Sequence, residues 1–269
     1  MKSLMSVVAG VLVSVSSVLG QGTPSAEPAK NVDKDTAPAP AAAPKAEEPK
    51  VVHREERPDG LIIEDFVVGT GAEVKAGALV AVHYRGTLRA DGSEFDSSYK
   101  RGEPIVFPLA GLIKGWQDGI PGMKVGGKRR LTVPWASAYG ENGRPPVIPA
   151  KADLVFDIEV LDTLVTEDAK EGTGAAFSAG MNPKVRYTLR KAGGGEVITE
   201  SKSEGQTLEF RKIVMALQFG LDGMKEQGKR VLKFPAMMAW QQTPLPLPAG
   251  TKLECEVELL EANSAGQGG

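Results

Sequence analysis

The chain has 269 residues, of which 41% are hydrophobic and 25% charged, and its formal net charge is −2 at pH 7. This balance is typical of a globular protein of one or two domains, and it excludes bulk positive charge as a basis for nucleic-acid binding. The single cysteine, Cys255, excludes an internal disulfide and a cysteine-based metal site of the usual multi-ligand kind.

The first twenty residues form an apolar leader. Lys2 supplies a positive charge, and the apolar run that follows carries none. Val18 and Gly20 are small enough to precede a signal-peptidase cut before Gln21. We therefore expect a signal peptide at 1–20 and a periplasmic or secreted protein. An uncleaved anchor is the alternative, but the run is shorter than the roughly 20 residues of a spanning helix, so no stable membrane insertion is expected after cleavage.

Residues 21–57 are rich in Ala, Pro, Lys and Glu. Such a composition cannot bury enough apolar surface to offset the entropy of ordering, so we predict a disordered, partly polyproline-II tether. A docking motif for a partner is the alternative, although the stretch lacks a PxxP sequence with adjacent basic residues. Residues 263–269 are predicted to form a disordered tail.

Beyond the tether, short alternating apolar segments are separated by Gly and Pro. The alternation within residues 80–84 and 154–160 predicts strands with one buried face. Ile113, Trp116 and Ile120 instead have helical spacing, which predicts one short helix. About five strands and one helix suggest an α+β domain, because an antiparallel sheet packed on the helix gives each apolar face a partner.

This pattern occurs twice. Residues 69–72, Gly-Thr-Gly-Ala, recur at 172–175, and further segments recur in the same order with small drifts in offset. Such drifts indicate duplication followed by loop deletions, and a period of roughly 100 residues is the size of a domain. We predict tandem domains at 58–165 and 166–262.

Ordinary catalytic arrangements are not recognisable. His53 lies in the tether, and His83 lies on the strand face opposite Val82 and Tyr84, so neither builds a Ser-His-Asp triad. No phosphate loop, dinucleotide fingerprint or HExxH motif occurs. We therefore expect neither a cofactor nor a metal.

Five aromatic and aliphatic segments instead resemble the signature of the FKBP-type peptidyl-prolyl cis-trans isomerases. The segments are Val82–Gly86, Gly92–Ser98, Leu112–Trp116, Ala138–Gly140 and Leu154–Ile158. They follow the order and spacing of the family over residues 60–164, so the resemblance is specific although each segment alone would be weak. It implies two tandem FKBP-like domains, each a five-stranded antiparallel sheet wrapped around a short helix, with a shallow pocket between sheet and helix.

The resemblance also assigns residues to the pocket of the first domain. Trp116 would be its floor, the Ile113 N–H and the Tyr139 hydroxyl would reach substrate carbonyls, and Asp96 would be an acceptor at the rim. The residues implied for catalysis are Tyr84, Phe95, Asp96, Phe107, Leu112, Ile113, Trp116, Tyr139 and Phe156. Those implied for substrate binding are Arg101, Ile105, Arg144, Val147 and Ile148.

Three features of the sequence bear on this set. Aromatic residues at alternating strand positions usually belong to a core, and only their occurrence together favours a pocket. Phe95 and Asp96 are neighbours, so both reach the pocket only if their strand ends or bulges there. Ile105 stands where the family often has an aromatic residue, and the loop around Arg144 also departs from the best-known members, which leaves substrate preference and macrolide affinity open.

Rotation about an X–Pro bond faces a barrier of roughly 18–20 kcal/mol from amide resonance. The twisted state is less polar than the planar one, so an apolar, water-poor pocket would favour it without any reactive group. The expected function is isomerisation of proline-containing unfolded or exported polypeptides, and the resemblance implies macrolide inhibitors as further ligands. A non-catalytic peptide-binding chaperone or scaffold of the cell envelope is the alternative, because an exposed apolar pocket serves either role.

The second copy retains little of this pocket. By offset, Tyr187 and Phe210 would keep two of its walls. The replacements are Ile198 and Thr199 for Phe95 and Asp96, Leu217 for Trp116, Trp240 for Tyr139, and Cys255 for Phe156. We predict the same fold without isomerase activity, with Cys255 a buried, inert thiol. A reshaped binding pocket is the alternative.

Overall fold

The computed structural model describes residues 50–239 and 247–263. The predicted signal peptide, residues 21–49 of the tether, Trp240 and residues 264–269 lie outside the described residues. No helix within the two described ranges is long and apolar enough to cross a membrane.

The first half of the described chain forms one antiparallel sheet. Its strands are β1 (His53–Glu56), β2 (Ile62–Val67), β3 (Leu79–Leu88), β4 (Glu94–Ser97), β5 (Ile105–Pro108), β6 (Lys128–Val133) and β7 (Leu154–Thr163). Their order is β1-β2-β6-β7-β3-β4, and β5 also pairs with β3. Strand β7 pairs with one edge of β3. The other edge of β3 pairs with β5 and then with β4, at successive positions along the strand.

Two helices accompany this sheet, α1 (Ser98–Arg101) and α2 (Lys114–Gly119), together with 3-10 turns at Leu109–Gly111 and Trp135–Ser137. Helix α2 confirms the helix predicted from its spacing, and it lies close against β6. A Cβ at Gly119 would meet Leu131 Cδ2 at 2.7 Å, and one at Gly115 would collide with Val133. Glycine at both positions therefore allows the close approach of helix and sheet.

The core lies between α2 and one face of the sheet. Val80, Val82 and Tyr84 of β3 alternate onto this face and are buried with Trp116 and Ile120 of the helical region. Alternation along the strand and helical spacing in α2 thus produce one contiguous apolar cluster, as the sequence predicts.

Strand β1 corrects the predicted end of the tether. His53–Glu56 pairs with Ile62–Asp65 of β2, so ordered structure begins before residue 58 and the prediction is wrong for the last residues of 21–57. All four residues of β1 are exposed, and Arg54 forms an ion pair with Glu64. A charged strand at the edge of a sheet carries no apolar alternation, so its sequence is indistinguishable from that of a tether. The expectation of five strands is wrong, because the described sheet has seven: β1 is added, and two short strands, β4 and β5, share one edge of β3.

A second antiparallel sheet follows. It comprises β8 (Val165–Lys170), β9 (Lys184–Lys191), β10 (Val197–Glu200), β11 (Gln206–Thr207), β12 (Lys229–Pro235) and β13 (Lys252–Glu261). The order is β10-β9-β13-β12-β8, with β11 on β9, and helix α3 (Met215–Gly220) precedes β12. Read in reverse, from β8 to β10, this order matches β2-β6-β7-β3-β4 of the first sheet, which has β1 in addition.

The strand register corrects one predicted equivalence. Val82 opposes Ile105 in the first sheet, and Val185 opposes Gln206 in the second, so the position of Phe107 is taken by Leu208. Phe210 instead begins a 3-10 turn equivalent to Leu109–Gly111. The expectation that Phe210 replaces Phe107 is wrong because the connection from β10 to β11 is two residues shorter than the one that contains α1, which changes the offset.

The two sheets are in contact through the second face of β3. Leu79 and Ala81 alternate with the core residues Val80 and Val82, and both are fully buried in the apolar cluster of the second sheet. Val106 of β5 and Leu164 also pack against that cluster. Strand β3 is therefore covered on both faces.

Candidate active site

The cavity of the first sheet depends on a bulge in β4. Gly86 of β3 opposes Asp96 and Thr87 opposes Glu94, which leaves Phe95 without a partner in the ladder. The bulge predicted from the adjacency of Phe95 and Asp96 is confirmed. The extra residue turns both side chains toward the same opening instead of opposite faces.

Gly86 creates the space that Phe95 occupies. A Cβ at Gly86 would meet Phe95 Cζ at 2.6 Å and Phe156 Cε1 at 3.1 Å. Any larger residue would therefore displace the wall of the cavity. This glycine lies within the predicted motif but is not among the predicted site residues, and its signal is a glycine in the interior of a strand.

The aromatic rings of the cavity pack edge to face, three of them on Trp116 and the fourth on Phe156. The ring of Trp116 lies 5.3 Å from those of Tyr84 and Phe156 and 6.2 Å from that of Phe107, with interplanar angles of 87°, 89° and 89°. Phe95 packs on Phe156 at 5.6 Å and 86°. Edge-to-face packing fixes each ring against its neighbours, so the walls are rigid around a buried floor.

These rings enclose a cavity of about 190 Å³. It is lined by Tyr84, Phe95, Asp96, Phe107, Leu112, Ile113, Trp116, Tyr139, Arg144 and Phe156. The structure thus brings together all nine residues that the resemblance implies for catalysis, and Arg144 from the substrate-binding group. Their assignment to catalysis stays a prediction.

A hydrogen-bonded group forms the rim. The Tyr84 hydroxyl donates to Asp96 Oδ2, and Arg101 Nη1 donates to Asp96 Oδ1. Arg101 Nη2 also donates to the Tyr84 hydroxyl at 3.1 Å, and its guanidinium lies 5.6 Å from the centre of the Tyr84 ring. Arg101 thus forms an ion pair with Asp96, although it does not line the cavity.

The rim group consists of Tyr84, Asp96 and Arg101, and the pKa values of Tyr84 and Asp96 shift in opposite directions. Burial, reinforced by the hydrogen bond to Asp96, raises the pKa of Tyr84 to about 12. Burial also tends to raise the pKa of Asp96, but the hydrogen bonds from Tyr84 and Arg101 outweigh it and lower that pKa below its ordinary value. At neutral pH Tyr84 is therefore a neutral donor and Asp96 a carboxylate.

Ser98 anchors the rim group to the sheet. Its buried Oγ accepts from the Tyr84 N–H at 2.8 Å and donates to the Tyr84 carbonyl at 3.2 Å, and it also lies 3.0 Å from His83 Nδ1. Ser98 begins α1, the helix that ends with Arg101. It is not among the predicted site residues, because a lone serine after a strand has no sequence signal that distinguishes this role.

Two polar groups face the cavity besides the rim. Ile113 immediately precedes α2, and no described residue accepts a hydrogen bond from its amide N–H. An N–H at this position lies before the first helical hydrogen bond, so it is available to a ligand. The half-buried Tyr139 places its side chain in the cavity wall.

The loop that carries Arg144 also contains Val147 and Ile148, and it places these two predicted residues in different environments. Arg144 and Ile148 exchange backbone hydrogen bonds of 2.8 Å and 3.1 Å. Val147, at the tip, is 52% exposed, whereas Ile148 is 2% exposed and belongs to the core. Val147, Ile148 and the half-buried Ile105 do not line the cavity. The buried side chain of Ile148 anchors the loop, and the role of these three residues in substrate binding stays a prediction.

The second sheet has its own cavity at the equivalent place, of about 220 Å³. Tyr187, Thr199, Leu208, Leu217 and Cys255 line it where the first cavity has Tyr84, Asp96, Phe107, Trp116 and Phe156. Burial raises the pKa of the Cys255 thiol to about 12. The carboxylate and the rings of Phe95, Phe107, Trp116 and Phe156 thus have no counterpart in the described lining of the second cavity. The thiol is neutral at ordinary pH.

Comparison with known proteins adds a family relationship. A family profile described as FKBP-type peptidyl-prolyl cis-trans isomerase matches residues 71–161. A probable FK506-binding protein of Corynebacterium glutamicum is 51% identical over 104 residues, which cover 39% of this chain and 87% of the relative. A peptidyl-prolyl cis-trans isomerase of Saccharomyces cerevisiae is 56% identical over 102 residues, covering 37% and 73%. The crystal structure of FkpA from Escherichia coli is 44% identical over 41% of this chain and 51% of that one, with a TM-score of 0.39.

Proposed function

Because the chain belongs to the family of FKBP-type peptidyl-prolyl cis-trans isomerases and has that activity, we propose that the reaction takes place in the cavity over Trp116. The observation that carries this proposal is the convergence of β3, the β4 bulge, β5, the start of α2, β7 and the Arg144 loop on one opening. The equivalent cavity of the second sheet does not gather this set of aromatic side chains.

The cavity lowers the barrier by binding the twisted imide better than either planar isomer. Resonance makes the planar X–Pro bond polar, and twisting the bond removes that polarity along with the resonance. The apolar walls formed by Tyr84, Phe107 and Phe156 leave little water around the bound imide. The polar planar imide therefore loses more hydration free energy in the cavity than the twisted imide does. Only this difference between the two states accelerates the reaction.

Polar groups orient the substrate within the apolar walls. The free N–H of Ile113 and the hydroxyl of Tyr139 donate to substrate carbonyls and hold the proline ring over Trp116. Asp96, kept ionised by Tyr84 and Arg101, presents an acceptor at the rim. These groups fix orientation, and no covalent bond to the protein forms in this mechanism.

The site is tested by truncating the floor of each cavity in the full chain. Trp116→Ala removes the floor of the first cavity, and Leu217→Ala removes the equivalent side chain of the second. We expect Trp116→Ala to lower kcat/KM for a Leu-Pro peptide by about tenfold or more, the effect of losing over ~1.4 kcal/mol of transition-state binding, and Leu217→Ala to leave it unchanged. Rates come from NMR exchange between the cis and trans peptide.

The two variants control for each other. Each deletes one apolar side chain from an equivalent helix, buried in the case of Trp116 and half-buried in the case of Leu217. Thermal unfolding shows whether each variant is folded. If folded Trp116→Ala keeps the wild-type rate, or if Leu217→Ala loses activity instead, the reaction does not take place over Trp116.

As a peptidyl-prolyl isomerase the chain acts on proline-containing peptides, and we propose that its clients are unfolded or exported polypeptides. The support is the leader at residues 1–20, which has the composition of a signal peptide and would direct the protein to the periplasm or outside the cell. Uncatalysed X–Pro isomerisation takes roughly tens of seconds, so a folding catalyst is useful in that compartment. Macrolides are a second proposed ligand class, supported by the name of the Corynebacterium relative.

For the second half we propose an FKBP-like domain without isomerase activity. The repeated strand order supports the common fold. The loss of the rim carboxylate and of the tryptophan floor supports the loss of activity, because Thr199 and Leu217 supply neither a charged acceptor nor a flat aromatic surface.

A further inference from the structure

Two residues of the first cavity's lining carry charge, Asp96 and Arg144. The carboxylate of Asp96 is fully engaged by Arg101 and the Tyr84 hydroxyl. Arg144, in contrast, is exposed, and no ion pair or side-chain hydrogen bond joins its guanidinium to any residue in the described ranges. The mouth of the cavity therefore presents one cation whose partner is not supplied by the described protein.

Carboxylates near Arg144 along the chain are already paired. Glu141, three residues before it, forms an ion pair with Lys151 at 3.4 Å. Asp153, after the loop, forms one with Arg89 at 3.3 Å and accepts from the Trp135 N–H at 2.9 Å. These interactions leave the guanidinium available to an anion from solution.

The backbone beneath Arg144 is held in place. Its two hydrogen bonds with Ile148 close a small hairpin, and the buried side chain of Ile148 fixes that hairpin to the core. Gly143, with a φ of 62°, packs so closely on the Pro149 carbonyl that a Cβ there would collide with it. The guanidinium is thus presented from an ordered loop at the edge of the cavity.

We propose that Arg144 makes the enzyme select substrates with an acidic side chain next to the proline, an inference that rests on the proposed location of the reaction over Trp116. A substrate carboxylate cannot enter the apolar cavity unpaired, so it has to stay at the mouth. The planar guanidinium of Arg144 offers it a partner there, with geometry suited to a carboxylate. Repulsion from Asp96 is reduced because Arg101 neutralises that group.

The test measures kcat/KM for the full chain with peptides that carry Glu, Gln or Lys beside the proline, in one set before it and in another after it. Leu-Pro is the reference peptide in every assay. The ratio of kcat/KM for the Glu peptide to that for the Gln peptide cancels any effect of a substitution that is common to both peptides. The variants are Arg144→Gln, Arg144→Glu and the control Arg54→Gln, which removes the same charge from β1 at the far edge of the sheet.

At low ionic strength we expect the wild type to favour Glu over Gln roughly 1.5- to 5-fold in at least one set, the range of an exposed ion pair. The preference should disappear in Arg144→Gln, turn toward Lys in Arg144→Glu, persist in Arg54→Gln and weaken as salt is added.

The results separate this inference from the one it rests on. A wild type that turns over Leu-Pro but shows no Glu preference in either set overturns the role of Arg144 and leaves the active site intact. A Glu preference that survives in Arg144→Gln overturns it equally. A wild type that fails to turn over Leu-Pro contradicts the proposed site itself.

Discussion

The rim of the first cavity holds a carboxylate whose ionisation is tied to folding. Hydrogen bonds from Tyr84 and Arg101 lower the pKa of Asp96 below its ordinary value despite partial burial. A lowered pKa in the folded state means that the unfolded chain binds more protons, so the stability from Asp96 is present above the unfolded pKa and is lost as pH falls through the folded one.

This linkage predicts a difference between the wild type and Asp96→Asn. On acidification from about pH 6 to pH 3, the free energy of unfolding of the wild type should fall further than that of the variant. The difference should be modest, because the Asp96 side chain is 39% exposed and solvent screens it. Urea denaturation across this pH range measures it. Parallel pH dependences for the two proteins would show that the rim hydrogen bonds do not stabilise the ionised carboxylate.

The roles of some residues can be predicted from the neighbouring sequence, and those of others cannot. The aromatic walls are predictable because five motif segments occur together, and none would be assigned alone. The burial of Ile148 is not predictable, because sequence spacing cannot tell which side of a small hairpin faces the core. Ser98 and Gly86 are missed, because their roles depend on the distance between strands rather than on neighbours in the chain.

At the scale of elements, the bulge between β3 and β4 is the feature that shapes the cavity. It holds Phe95 over Gly86, where a Cβ would approach the Phe95 ring to 2.6 Å. We predict that Gly86→Ala displaces this ring and lowers kcat/KM by about tenfold, with a loss of roughly 1–3 kcal/mol in stability from overpacking.

Gly111→Ala is the matched control for that prediction. The same substitution at Gly111, in the 3-10 turn before α2, would place the new Cβ 3.9 Å from the nearest atom, Pro108 Cγ. Peptide exchange rates and urea denaturation compare the two variants. Equal activity in both would mean that the position of the Phe95 ring does not matter for turnover.

Elements with an apolar period are predictable, and those without one are not. The alternation of β7 and the helical spacing of α2 are sufficient to place them, because burial of one face dictates the pattern. Strand β1 has four exposed residues and is held by backbone pairing and ion pairs, so it resembles the tether that precedes it. The offset error at Phe210 has a similar origin, since a two-residue deletion leaves no mark on either flanking pattern.

At the scale of the whole molecule, the contact between the two sheets makes the halves interdependent. Leu79 and Ala81 of β3 are buried in the second cluster, and Lys252 of β13 forms an ion pair with Asp162 of β7. The sequence predicts two domains in tandem but not this contact. The apolar run at residues 79–82 is typical of a strand buried on both faces, but it does not identify the element that covers the second face.

The contact predicts that residues 50–164 alone are less stable than in the full chain. Exposure of Leu79 by itself should cost about 1.5–3 kcal/mol. Denaturant unfolding followed by the fluorescence of Trp116 and Trp135 measures this, with Trp240→Phe in the full chain to remove the third tryptophan. The same midpoint in both proteins would show that the second sheet does not stabilise the first.

The mechanism as a whole rests on a change of environment for the X–Pro bond, without transfer of a proton to or from the reacting imide. The most direct test compares kcat/KM of the full chain for a Leu-Pro peptide in H2O and in D2O by NMR exchange, at a pH where the rate is constant. We predict equal values in the two solvents. A clearly slower reaction in D2O, preserved across peptides, would indicate proton transfer in the rate-limiting step and contradict catalysis by the apolar cavity alone.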